Sequence, residues 1–194
     1  MNLSFLQDFS TLGVLLLGAV VCAALEGLQD AGGARERHLS RWAALAFLLL
    51  AFLVSIGFWR SSLGPAPPDV EHGSFLIDRF ALFFYAAGPA AAAAIVLCGA
   101  DLEAELELHQ PMYHALLLVA TAGVVLTASA ADLGSLLVGL ALVALPMAMA
   151  QGLRKIDAAG LRRTARSVTV TGSLLAAFAA GEAILAGLGH ATQL

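Results

Sequence analysis

The chain has 194 residues, of which 60% are hydrophobic and only 12% charged, with a formal net charge of −4. With a mean hydropathy of +0.87, this composition excludes an ordinary soluble domain and describes an integral membrane protein. It also lacks the dense Lys/Arg face that holds phosphates, so nucleic acid is not expected as a partner.

The first apolar run covers about residues 9–28. It has the apolar core of a signal peptide, but the residues ahead of it carry only Asp8 and no positive charge, whereas a secretory leader begins with basic residues. A retained first helix is therefore expected. Gly32, Gly33, Arg35, Arg37 and Arg41 follow as a loop. The second run, 42–59, is bracketed by Trp42 and Trp59, as expected of indoles resting at the two membrane interfaces.

Between Arg60 and Arg79 the stretch Gly64-Pro65-Ala66-Pro67-Pro68 cannot continue a helix, because proline lacks the amide donor and restricts its neighbour. An extramembrane loop is expected. The third run, 80–99, contains Pro89. Such a proline is tolerated in a membrane helix when neighbouring helices satisfy the carbonyl it frees, so this helix should be packed rather than isolated. Ala86-Ala87-Gly88 and Ala90–Ala94 give it a small-residue surface for close approach. Asp101, Glu103, Glu105 and Glu107 then form an acidic stretch, which reads as a solvated loop because it lacks the glycine turn and ligand spacing of a cation site.

The fourth and fifth runs, 113–131 and 133–153, are separated by little more than Asp132. A connection that short forces an antiparallel helix pair, with Asp132 available to cap the fifth helix. A basic stretch, Arg154–Arg166, precedes the sixth run, 167–189. The whole reads as an all-α transmembrane bundle of six helices in one domain, 1–194, with the upstream helices added to the Met112–Gly189 portion. Three arginines in the first loop and five basic residues in the fifth place those loops in the cytoplasm. Both termini are then expected outside, periplasmic in a Gram-negative inner membrane. Cys22 and Cys98 fall inside apolar runs and read as small hydrophobes.

Polar residues at membrane depth are costly and therefore informative. Glu182, about two-thirds through the sixth run, is either a proton-relay carboxylate or a carboxylate near the outer end of the helix, hydrogen-bonded to a neighbouring helix or subunit, and the second reading is the plainer. His114, and His109 near it, stand at the start of the fourth run. His114 could carry protons near neutral pH, although an interfacial histidine capping a helix start is the commoner arrangement. Pro146 reads as a plain kink. Thr127, Ser129, Ser135, Thr169, Thr171 and Ser173 are expected as mild hydrogen bonders between helices. No residue set implies a cofactor or a metal, and no histidine pair at haem spacing or nucleophile arrangement suggests a membrane enzyme.

The blocks Tyr113–Leu118, Ala122–Leu133, Leu137–Pro146 and Leu161–Gly189 resemble, in order and spacing, the middle of the antiporter-like subunit N of bacterial NADH–quinone oxidoreductase, complex I. Asp78-Arg79-Phe80-Ala81-Leu82-Phe83-Phe84 is similar to the D-x-F-x-x-F start of that family's third helix. The resemblance covers about two-thirds of the chain, on motifs that are apolar and individually weak. It implies a glutamate in the fifth helix, within G-[IL]-E-L-x-[SA]-L-P, that pairs with a later lysine and gates proton movement. Here that position is Ala141, which cannot titrate. It also implies a lysine early in the sixth helix, and Arg166 stands in its place. Arginine keeps its proton at any accessible pH, so it can pair but not cycle.

The family continues for many helices beyond this point, so a short, degenerate form keeping six helices is expected. Two functions follow from the resemblance. One is a non-pumping structural subunit of a complex-I-like or membrane-hydrogenase-like assembly, partnered by other membrane subunits and the lipid bilayer, with quinone reached through neighbours. The other is half of a split proton or cation transporter completed by a partner chain, in which Glu182 and Arg166 share a path.

Overall fold

In the computed structural model, the described residues are 10–29, 35–61, 70–72, 75–99, 110–151, 153 and 158–191. They form six helices and a small hairpin. The helices are α1 (Ser10–Gln29), α2 (Arg35–Ser61), α3 (Arg79–Cys98), α4 (Gln110–Ala128), α5 (Leu133–Ala150) and α6 (Ala158–Ala191). The hairpin joins β1 (Val70–His72) to β2 (Phe75–Ile77) between α2 and α3. Five helices are long and apolar enough to cross a membrane: α2 to α6, with candidate spans of 18 to 25 residues. The apolar part of α1, Ser10–Leu25, is shorter. The chain is thus a multi-pass helical membrane protein by the length and composition of its helices.

The centre of the bundle is α4. It packs against α1, α2, α3 and α5, whereas α6 packs chiefly on α5. Twelve residues of α4 are buried, including Gln110, His114, Leu118, Gly123 and Val125. The other inner helices bury one narrow stripe each: Thr11, Leu15, Ala19 and Cys22 on α1, and Ser40, Ala44, Leu48, Ala51 and Ser55 on α2. On α3 the stripe is Ala81, Tyr85, Pro89, Ala92 and Val96. These spacings of three and four place each stripe on one helical face. The remaining faces expose leucine and phenylalanine, such as Leu49, Leu53, Phe83 and Leu174, as lipid contact allows. The expectation that the upstream helices are appended to an α4–α6 unit therefore changes: α4 is enclosed by them, and α6 is the peripheral element.

Glycines set the closest helix contact. A side chain at Gly123 would lie 2.7 Å from the backbone of Leu142 and Val143. A side chain at Gly139 would run into Thr127, including its backbone nitrogen at 2.7 Å. The two glycines, one per helix, let α4 and α5 meet almost backbone to backbone. At the turn between them Asp132 caps α5 as expected. Its Oδ1 accepts the Ser135 amide at 2.6 Å, and its own amide donates to Ser135 Oγ at 3.4 Å.

Two boundaries differ from the sequence reading. α2 begins at Arg35 and α6 at Ala158, so Arg41, Arg162, Arg163 and Arg166 are helical rather than in loops. Basic side chains can extend a helix past the apolar run because their long stems reach the interface. The Arg60–Arg79 loop also contains the hairpin, whose β2 is fixed to the α4–α5 turn by the Leu76 amide donating to Ser129 O at 2.8 Å. The acidic stretch 101–107, His109 and Arg154–Asp157 lie outside the described residues.

Candidate functional site

The polar groups of this bundle divide between its two ends. At the end where α2 and α6 begin, His114 is fully buried on α4 among α1 and α2. Its Nδ1 is 3.4 Å from Ser40 Oγ of α2, and the Ser40 carbonyl accepts a long contact from Cys22 Sγ of α1 at 3.9 Å. The Tyr113 ring stands edge-on to the imidazole, centroids 5.8 Å apart. His114 therefore links α4 to α2 from inside the bundle, and Ser40 carries the contact on to α1. The Nε atom of Arg41, next to Ser40 in sequence, is likewise shielded from solvent.

At the other end, Glu182 of α6 is half-buried beside the start of α5. Its Oε1 comes within 3.4 Å of where a Gly134 side chain would begin, and Asp132 Oδ1 within 3.5 Å of the same point. A carboxylate there faces the positive end of the α5 helix dipole. Glu182 thus lies against the start of a neighbouring helix.

Arg166 is exposed on α6. Sixteen residues separate it from Glu182 on one continuous helix, a rise of about 24 Å, close to the hydrocarbon thickness of a bilayer. The two residues that a shared path would join stand at opposite ends of the bundle. Ala141 is half-buried on α5, one residue before the Leu142–Val143 backbone that Gly123 touches. Among the described residues, no three of His, Cys, Asp and Glu gather in one place.

Three buried polar residues carry contacts that the sequence reading missed: Thr11, Ser40 and Ser55, each fully buried. Thr11 Oγ1 lies 3.3 Å from Ser55 Oγ, and Ser55 Oγ donates to Tyr85 O at 2.9 Å. Conversely, Thr127, Ser129, Thr169 and Ser173 turn back onto carbonyls of their own helices at 2.7–3.2 Å, and Ser135 serves the α5 cap. A hydroxyl bonded to its own preceding turn is satisfied without any neighbour. Only proximity to a second helix distinguishes the two cases.

The bundle defines a polytopic helical membrane protein, with no group of three His, Cys, Asp or Glu among its described residues. In sequence the chain is 33% identical over 163 residues to NADH-quinone oxidoreductase subunit N 1 of Koribacter versatilis (strain Ellin345). The match covers 79% of this chain and 32% of that relative, so the chain spans about a third of its length. No family model matches. The protein is distantly related to subunit N of the NADH–quinone oxidoreductases.

Proposed function

We propose that this chain is a non-pumping structural subunit in the membrane arm of a complex-I-like or membrane-hydrogenase-like redox-driven complex. The observation that carries the reading is the surroundings of Ala141. At the place where the resemblance implies a titrating glutamate, this chain has a methyl group beside a glycine-tight α4–α5 contact. The distance between Glu182 and Arg166 supports it further, because a proton handed along hydrogen bonds cannot cross about 24 Å in one step. In this reading Glu182 docks α6 onto α5, His114 fastens α4 to α2, and Arg166 anchors α6 at the interface.

The orientation follows the positive-inside rule. Eight of the ten Lys and Arg residues belong to the α1–α2 and α5–α6 connections or the helix starts beside them; Arg60 and Arg79 are the other two. The first group faces the cytoplasm and both termini face outward, in the inner membrane of the cell. The partners are other membrane subunits of the complex.

The test is purification in mild detergent through a tag on Leu194, with mass spectrometry of the co-migrating chains. The expected result is a set of redox and antiporter-like subunits in fixed ratio. Recovery of the chain alone, or with one short transporter-like partner, overturns the reading.

A further inference from the structure

Between α3 and α5, over the surface of α4, lies a laterally open cleft of about 340 Å³. Its walls are Phe80 and Phe84 of α3, Val124 and Ala128 of α4, and Leu140 and Val143 of α5. Phe80 is 63% exposed at the mouth and meets Phe84 edge-on, centroids 4.9 Å apart. The one hydroxyl in the wall, Thr127 Oγ1, donates to Gly123 O at 2.8 Å, so it already has a partner within its own helix. α3 and α5 flank α4 without closing on each other, and the cleft is the space left between them.

We propose that this cleft is a groove for one acyl chain of a membrane phospholipid. A single hydrocarbon chain is thin enough to enter the cleft lengthwise, and its methylene groups match the apolar walls. The lining excludes a polar ligand, since buried polar groups cost free energy unless hydrogen-bonded.

The charges at the mouth favour a phospholipid over a neutral isoprenoid. Arg79, exposed and the first residue of α3, immediately precedes Phe80. Arg60 is exposed at the end of the α2 span, at the same end of the bundle. The nearest acid in sequence, Asp78, has its Oδ1 engaged by the Ala81 amide at 2.7 Å. A phosphate at the level of Arg79 thus places its chain alongside Phe80 and Phe84, following the interface-to-core direction of α3.

The test uses the full chain in phospholipid nanodiscs containing phosphatidylcholine with a mid-chain diazirine, irradiated and mapped by peptide mass spectrometry. Adducts on cleft residues should exceed those on Leu174 and Ile184, exposed on α6, by about tenfold. Val124→Trp should remove the cleft adducts while those on α6 persist as a folding control. Leu140→Trp fills the same space from the other wall and serves if the first variant does not fold. Uniform labelling, or cleft adducts retained in both folded variants, overturns the proposal. So does displacement by an isoprenoid quinone but not by unlabelled phospholipid, or loss of the cleft adducts when labelling is done in native membranes, where a partner subunit would then be the occupant.

Discussion

Ser55 on α2 donates its hydroxyl to the Tyr85 carbonyl on α3 at 2.9 Å, four residues before Pro89. That carbonyl is the one whose helical donor Pro89 removes. Ser55 also reaches Ala51 O at 2.8 Å, so its single proton is shared between its own helix and the next. With that proton committed, Thr11 is the donor in the 3.3 Å contact to Ser55 Oγ. Three helices are joined by satisfying one proline.

Ser55→Ala should destabilise the bundle by about 1 kcal/mol, within the range for hydrogen bonds between membrane helices. The cost should shrink in a Pro89→Ala background, because residue 89 then supplies an amide to the Tyr85 carbonyl. Unfolding in mixed micelles of the two single variants and the double variant measures the coupling. Equal losses in both backgrounds would show that Ser55 does not serve the proline.

Gly123 of α4 and Gly139 of α5 should be intolerant of any side chain. Gly123→Ala forces a methyl group against the Leu142 and Val143 backbone, which cannot give way as a flexible side chain would. A loss of about 1–3 kcal/mol is expected, as for overpacked cores. Gly172→Ala and Gly181→Ala on α6, with nothing within 4 Å, should be neutral or slightly stabilising, since alanine is the better helix former. Thermal unfolding in detergent separates the two classes.

His114→Ala empties a fully buried site and removes the Ser40 contact. It should cost about 2–4 kcal/mol, in the range of large-to-small core substitutions. In a cycle with Ser40→Ala the two losses should be less than additive, because they share one interaction. Additive losses would mean that the 3.4 Å contact contributes nothing.

Two substitutions examine proton movement directly. Glu182→Gln keeps the shape of a side chain that docks against α5 and should leave coupled ion transport of the assembled complex unchanged. Loss of transport with assembly intact would instead place Glu182 on a path. Ala141→Glu places a carboxylate where the resemblance implies one and should destabilise the chain by about 2.5–3.5 kcal/mol without adding transport, because an ionisable group in the middle of an apolar helix is costly.

Much of the architecture was legible in the residues themselves. Apolar runs separated by glycine, proline and charge marked the helices. The single-residue turn at Asp132 dictated the α4–α5 pairing and its cap, and Pro89 announced that a neighbour must supply a donor. The hairpin also has a signal in sequence: Gly73-Ser74 stands between Val70-Glu71-His72 and Phe75-Leu76-Ile77, a two-residue spacing that favours a tight β-turn.

Which neighbour answers Pro89, which helix is central and which histidine is enclosed were decided only by the tertiary structure. In water, an apolar stripe on a helix reveals its buried face. In lipid both faces are apolar, so periodicity no longer distinguishes Leu48, fully buried, from Leu49, more than half exposed. What remains informative in sequence is the backbone chemistry of proline, glycine and caps. The placing of Ser55, His114 and Glu182 against their partners depends on how six nearly uniform cylinders pack, and that is settled by the close approaches at Gly123 and Gly139.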